Sequence, residues 1–201
     1  MPSPPRLHLD VLAKYALTGR KAVVTGGNRG LGLAFVRALF EAGAQVVFIS
    51  RDGARNDLVV PGIRTEGYRV AAPVADLTSK TELADAIDSA ASRLGGIDIL
   101  VNNSGTCFHG GAVDVKEEEW DAVFDLSVKA LFNASVLAAE HMKGNGGGSI
   151  EPLCRSRGNP SADGVADVTG RAGTARPETV LIPRGSAGHW PSGRKTGLRV
   201  S

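Results

Sequence analysis

The chain has 201 residues and a formal net charge of +2, with 42% hydrophobic and 22% charged positions. Such a length suits one domain, and a charge so near balance gives no argument for a nucleic-acid or membrane-surface partner. Two cysteines, Cys107 and Cys154, form no disulfide framework and fit no zinc pattern, and no apolar run approaches the roughly 20 residues of a bilayer span. The N-terminal MPSPPRLHLD lacks the apolar core of a signal peptide, so a cytoplasmic location is expected.

Residues 1–18 read as a lead-in, with Pro2, Pro4 and Pro5 opposing regular structure. The first strand is placed at residues 21–25. The helix that follows, to residue 42, carries Leu31, Phe35, Ala38, Leu39 and Ala42 at three- and four-residue spacing. The run QVVFI (residues 45–49) suits a strand buried on both faces of a parallel sheet. A helix over residues 51–67 should be short or broken, because Pro61–Gly62 lies in its middle. Residues 69–74 form the third strand, residues 78–94 an amphipathic helix, and IDILV (residues 97–101) the fourth strand.

A long helix is expected over residues 114–142, opened by an Asp114/Glu117 capping box and facing the core with Trp120, Val123, Phe124, Leu131 and Leu137. Strands alternating with helices predict an α/β, doubly wound parallel sheet. After Ile150 the pattern stops. Residues 151–201 hold 8 Gly, 5 Pro and 7 Arg, and only residues 179–182 look strand-like. That composition predicts a mostly disordered tail.

The segment that organises the rest is KAVVTGGNRGLG, residues 21–32. It reads as strand, glycine-rich turn and helix start, with Gly26, Gly30 and Gly32 spaced along it. Such a turn presents bare backbone amides and the positive end of a helix dipole to a pyrophosphate.

Four features resemble the short-chain dehydrogenase/reductase family, in order and in register. TGGNRGLG (residues 25–32) resembles its TGxxxGxG cofactor turn, bringing in Thr25, Gly26, Asn28, Arg29, Gly30, Leu31 and Gly32. Asp76–Leu77, at the end of the third strand, resembles the place of its adenine-contacting Asp. NNSG (Asn102, Asn103, Ser104, Gly105) resembles its NNAG motif, and the Trp120 helix its fourth helix. The resemblance covers about residues 18–150. It implies a Rossmann-like sheet over residues 19–150, incomplete at about four strands, followed by an irregular tail over residues 151–201.

The resemblance implies an oxidoreductase that moves a hydride between a nicotinamide dinucleotide and a ketone or secondary alcohol. Asp76 either accepts from the adenine amino group or caps the helix beginning near Thr78. Asn102 and Asn103 either bridge strand ends and line the cofactor or form a plain turn. At the end of the second strand, where an NAD-preferring site places an acid, stands Ser50, followed by Arg51. A serine and a guanidinium suit a 2′-phosphate, and Arg29 adds a second cation, so NADP(H) is expected over NAD(H). The competing reading has Asp52 turning back to the ribose.

The family's proton-transfer tyrosine, with its lysine four residues on, has no counterpart. The only tyrosines are Tyr15 and Tyr68, and neither has that lysine. SVKA (residues 127–130) stands where the family often shows NVKG, and Ser156 lies near the expected serine in an unmatched context. No catalytic residue is therefore assigned. The alternative to an enzyme is a nucleotide-binding remnant or a regulatory module. Cys107 and His109 are read as loop residues, and no metal spacing occurs. The abrupt change after Ile150 suggests out-of-frame translation or an alternative exon. Loss of a fifth strand would leave the fourth as an open edge, compromise a family-type homo-oligomer and favour association.

Overall fold

The unbroken apolar runs become the central strands, each sending alternate side chains to opposite faces. The computed structural model describes residues 15–107, 114–153 and 180–182. Its elements are β1 (Lys21–Thr25), α1 (Gly30–Glu41), β2 (Gln45–Ile49), α2 (Gly53–Thr65), β3 (Val70–Ala71), α3 (Lys80–Leu94) and β4 (Ile99–Asn102). There follow α4 (Glu117–Phe124), a π-helical segment (Asp125–Ala130), α5 (Leu131–Gly144), β5 (Gly148–Pro152) and β6 (Val180–Ile182).

The sheet order is β3-β2-β1-β4-β5-β6. Pairing from β3 through β5 is parallel, and β6 joins β5 antiparallel. Ala22, Val24, Val46 and Phe48 pack to one face with Val36, Phe40 and Ile63 of α1 and α2. Val23, Val47, Ile49 and Leu100 pack to the other with α3 and α5. Both faces are covered, which is why these strands are apolar throughout rather than alternating with polar residues. Full burial of a side chain such as Phe48 contributes about 1.5–3 kcal/mol.

The doubly wound architecture is as expected, but the strand count is larger than four. Residues 148–152 pair with β4 in register, Leu100 opposite Ile150 and Asn102 opposite Pro152. β4 is therefore an interior strand, and the expected open edge beside it does not arise. The strand-like stretch near residues 179–182 does pair, as β6. The rest of the tail, including Cys154 and Ser156, lies outside the described residues, as do His109 and residues 1–14.

The helix expected to break at Pro61 runs unbroken from Gly53 to Thr65. Pro61 removes one backbone donor, but it sits on an exposed stretch where water can reach the freed carbonyl. Buried Asn56 and Ile63 fasten the helix on both sides of it. In α1 the buried line is Gly32, Val36 and Phe40, one position away from the stripe expected, and Leu31 is left exposed.

The long helix starts after Lys116 rather than at Asp114, with the Glu119 carboxylate reaching back to accept from Lys116 N at 3.2 Å. Its core-facing line is small in the middle, Ala130, Ala134 and Ala138, between Val123 and Met142. The larger Trp120, Phe124, Val128, Phe132 and Val136 face outward, with Trp120 and Phe124 stacked at 4.6 Å between ring centroids. Small residues allow the helix to lie close to the sheet, which displaces the bulky ones to the far side. Glu117–Gly144 is also, by length and composition, long and apolar enough to cross a membrane, although charged residues interrupt its apolar stretches. Its alanine line is nonetheless spent on this protein's own sheet.

Pro61→Ala restores a helical N–H and removes the ring. It should raise stability by about 1–2 kcal/mol, somewhat less than the intrinsic helix penalty because proline also restricts the unfolded chain. Thermal unfolding followed by circular dichroism checks this; an unchanged or lower midpoint would show that the helix is broken there after all.

Candidate functional site

The sheet order reverses at β1: the chain moves outward through β2 and β3, then returns to the other side of β1 as β4. The crevice at the carboxyl ends of such strands is where a doubly wound sheet takes ligands. A cleft of about 590 Å³ opens there. Its floor and rim come from the glycine turn, the end of β2, the start of α2, the stretch after β3 and the loop after β4.

The glycine turn supplies the floor. Arg29 is the N-cap of α1 but makes no side-chain capping bond, and the first turn holds no acid. The first-turn amides and the positive helix end thus remain available to an anion. Gly32 is required by crowding: an added Cβ would lie 2.1 Å from Gly26 O and 2.5 Å from Asn103 Nδ2. Gly30 is required for a different reason. Its φ is +53°, while a Cβ there would meet nothing within 4 Å. The space over Gly30 is open cleft.

The turn is fixed to β4 by Thr25. Its hydroxyl oxygen accepts from Asn103 N and Ser104 N, both at 3.0 Å. Asn103 Nδ2 returns the connection by donating to Thr25 O and Gly26 O, both at 3.1 Å. Asn103, Ser104 and Gly105 line the cleft, whereas Thr25 and Asn102 lie beneath it and are almost wholly buried. Asn102 points the other way, donating to Ser135 Oγ at 3.0 Å. Of the two asparagines, Asn103 bridges the strand ends at the cleft and Asn102 braces β4 against α5. Farther along the same loop, Thr106 N donates to Ser127 Oγ at 3.3 Å, and that hydroxyl donates back to Thr106 O at 3.2 Å. The serine at the family's helix-asparagine place thus holds the rim through the π-helical segment.

The end of β2 departs from the simplest expectation. Ser50 and Arg51 both line the cleft. Ser50 is 5% exposed, however, and its hydroxyl donates to Asn56 Oδ1 at 2.6 Å. It therefore has no proton left for a phosphate oxygen. Asn28 Nδ2 lies within reach of Ser50 Oγ, Asn56 Oδ1 and Asp52 O at 3.0, 3.1 and 3.3 Å. Asn56 Nδ2 donates to Ala72 O at 3.2 Å. This buried polar trio ties the glycine turn to β2, α2 and the stretch after β3.

Asp52 caps α2, accepting from Arg55 N at 2.9 Å. Arg55, which the sequence reading did not single out, also lines the cleft and donates from Nε to Asn28 O at 3.2 Å. Nothing in its linear spacing marks it; only the helical turn between Asp52 and Arg55 brings it back to the site. Ala75, Thr106 and Leu126 are the other lining residues that the sequence reading passed over.

Asp76 and Leu77 form the far wall. Asp76 is not the helix cap, a place taken by Ser79. Its Oδ1 instead accepts from Thr78 N at 2.9 Å and Thr78 Oγ1 at 2.8 Å. The backbone bond and then the hydroxyl bond from Thr78 hold the carboxyl below its ordinary 3.8; partial burial opposes them, and the Arg51 guanidinium adds the least. The carboxylate stays ionised and able to accept.

Thr25→Val keeps the shape and removes the acceptor. It takes the acceptor from Ser104 N, at a cost of about 1–3 kcal/mol for an N–H shielded from water, while Asn103 N keeps Val101 O at 3.1 Å. Chemical denaturation should show a loss in this range; an unchanged midpoint would mean that the hydroxyl is dispensable. Asp76→Asn should lower stability near pH 7. A carboxyl whose folded pKa is depressed contributes above its unfolded value and loses that contribution as pH falls through the folded one. The gap between the two proteins should therefore close as pH is taken below about 3.8, and a gap that persists there would contradict the assignment.

Comparison with known proteins bears on the same region. Gluconate 5-dehydrogenase of Gluconobacter oxydans (strain 621H) is 30% identical over 176 residues, covering 88% of this chain and 67% of its own. Dehydrogenase/reductase SDR family member 4 of Oryctolagus cuniculus is 36% identical over 141 residues, 70% of this chain and 54% of its own. A solved gluconate 5-dehydrogenase from Burkholderia cenocepacia J2315, in complex with NADP and tartrate, superposes with a TM-score of 0.65 at 34% identity. It is matched over 70% of this chain and 55% of that one. The chain thus spans about two thirds of the first relative and little more than half of the other two. Residues 20–159 match the family described as short chain dehydrogenase, and the chain belongs to that oxidoreductase family.

Proposed function

We propose that the cleft holds NADP(H), with the pyrophosphate over the glycine turn and the adenosine between the end of β2 and Asp76. The cradle over Gly30, the uncompensated start of α1 and the acceptor at Asp76 all fit such a ligand. When bound, the nicotinamide supplies a hydride donor or acceptor. This chain's residues bind and orient: the first-turn amides of α1 take the pyrophosphate, and Asp76 accepts from the adenine.

The observation that carries the choice of NADP(H) is the charge around the adenosine end. Arg29, Arg51 and Arg55 line the cleft against Asp52 and Asp76. Asp52, the one acid placed to take a ribose, has a carboxylate oxygen engaged in capping α2. A 2′-phosphate meets cations there, each charge-assisted bond adding about 1.5–3 kcal/mol. The gluconate 5-dehydrogenase from B. cenocepacia was solved with NADP, which agrees with this reading.

Among the described residues, no tyrosine lines the cleft to transfer a proton. Tyr15 is 74% exposed and Tyr68 stacks on Phe40 at 4.7 Å. Neither lines the cleft, and neither is followed four residues later by a lysine. We therefore read the activity of this chain as cofactor binding, in the cytoplasm, without turnover. The family relationship favours a second reading, reduction of a ketone or oxidation of a secondary alcohol by the same cofactor.

Titration with NADPH and NADH, followed by cofactor fluorescence, tests the preference. Arg51→Asp should weaken NADPH about 10- to 100-fold and leave NADH within a few-fold. Equal effects on both cofactors would contradict the assignment. Steady oxidation of NADPH by purified protein with a panel of ketones would replace the binding reading by the catalytic one.

A further inference from the structure

Three guanidinium groups line the adenosine end of the cleft, and they are not equivalent. Among the described residues, neither Arg29 nor Arg51 has a hydrogen bond that fixes its head group. Arg55 is held at both ends. Its backbone N donates to Asp52 Oδ1 at 2.9 Å, and its Nε donates to Asn28 O at 3.2 Å. Asn28 is itself immobilised by Ser50 and Asn56, with all three side chains 3–5% exposed. The backbone carbonyl that receives Arg55 thus belongs to a residue whose side chain is itself held in place. With Nε engaged, the two terminal nitrogens of Arg55 remain, a planar fork that matches two oxygens of a phosphomonoester.

We propose that Arg55 is the specificity-determining residue that receives the 2′-phosphate, while Arg51 and Arg29 act through their charge. This rests on the NADP(H) reading above. Binding a guanidinium already set in place costs less side-chain entropy than ordering a free one, so a bond of equal strength adds more affinity. The Asn28–Ser50–Asn56 trio acts as a positioning device for it. It takes up the Ser50 hydroxyl proton and aims the Asn28 carbonyl at Arg55. The phosphate would then be met by arginine donors and not by the serine at the strand end.

The test uses two ligands that differ only at the 2′ position, adenosine 2′,5′-bisphosphate and adenosine 5′-monophosphate, titrated calorimetrically into the full chain. Arg55→Gln should weaken the bisphosphate by about tenfold or more and the monophosphate by less than about twofold. Arg51→Gln should cost the bisphosphate less than Arg55→Gln does. Arg55→Lys, which keeps the charge and loses the fork, should recover only part of the loss and shows the effect even if the glutamine variant folds poorly.

Two results would overturn the inference while leaving the NADP(H) reading intact. Both ligands could weaken together, the mark of a role confined to holding the turn, or Arg51→Gln could prove the costlier change. If the unmodified chain does not favour the bisphosphate at all, this inference and the NADP(H) reading fall together.

Discussion

The site depends on one side-chain oxygen. Thr25 Oγ1 accepts two backbone donors from the loop after β4, and Asn103 returns two bonds to the backbone of the glycine turn. These contacts join the carboxyl ends of β1 and β4 just where the crevice opens. Without them the glycine turn would be held on the β2 side alone, through Asn28. With them, Gly26, Gly32 and Asn103 are packed so closely that no larger residue fits at Gly32. The walls of the cleft are therefore positioned by the register of β1 and β4.

On the other side of the turn the fixing is done by buried amides. Asn28, Ser50 and Asn56 satisfy one another within a nearly closed pocket, and Asn56 reaches on to the backbone at Ala72. Buried polar groups cost little only when every partner is present. Their value here is geometric: they set the distance between turn, strand end and helix start. Arg51 and Arg55 project from that frame, and Asp52 is drawn into the helix cap. The balance of charge at the adenosine end follows from which of these side chains the frame has already engaged.

Much of this was legible in the sequence, because it lay in local pattern. The apolar runs QVVFI and IDILV announce two-faced strands, and TGGNRGLG and NNSG mark the two loops that meet at the cleft. What escaped was non-local or a matter of competition. Pro61 argues against a helix interior, yet buried Asn56 and Ile63 hold the helix together around it. β5 begins in a glycine-rich approach and ends in an acid and a proline, so it reads as the start of an irregular tail; the edge of β4 recruits it as a strand. Arg55 and Asn56 reach the site only because a helix turns them back toward it, and no spacing rule ties them to Asn28.

The outward stripe of Trp120, Phe124, Val128, Phe132 and Val136 shows the same limit from the other direction. Of the residues expected to face the core, Val123 and Leu137 do so, whereas Trp120 and Phe124 give way to a line of alanines. The central claim remains that this frame holds a dinucleotide. Isothermal titration of the unmodified chain with NADPH tests it most directly. Saturable binding at one site per chain is the predicted result, and the absence of any saturable binding by well-folded protein would contradict it.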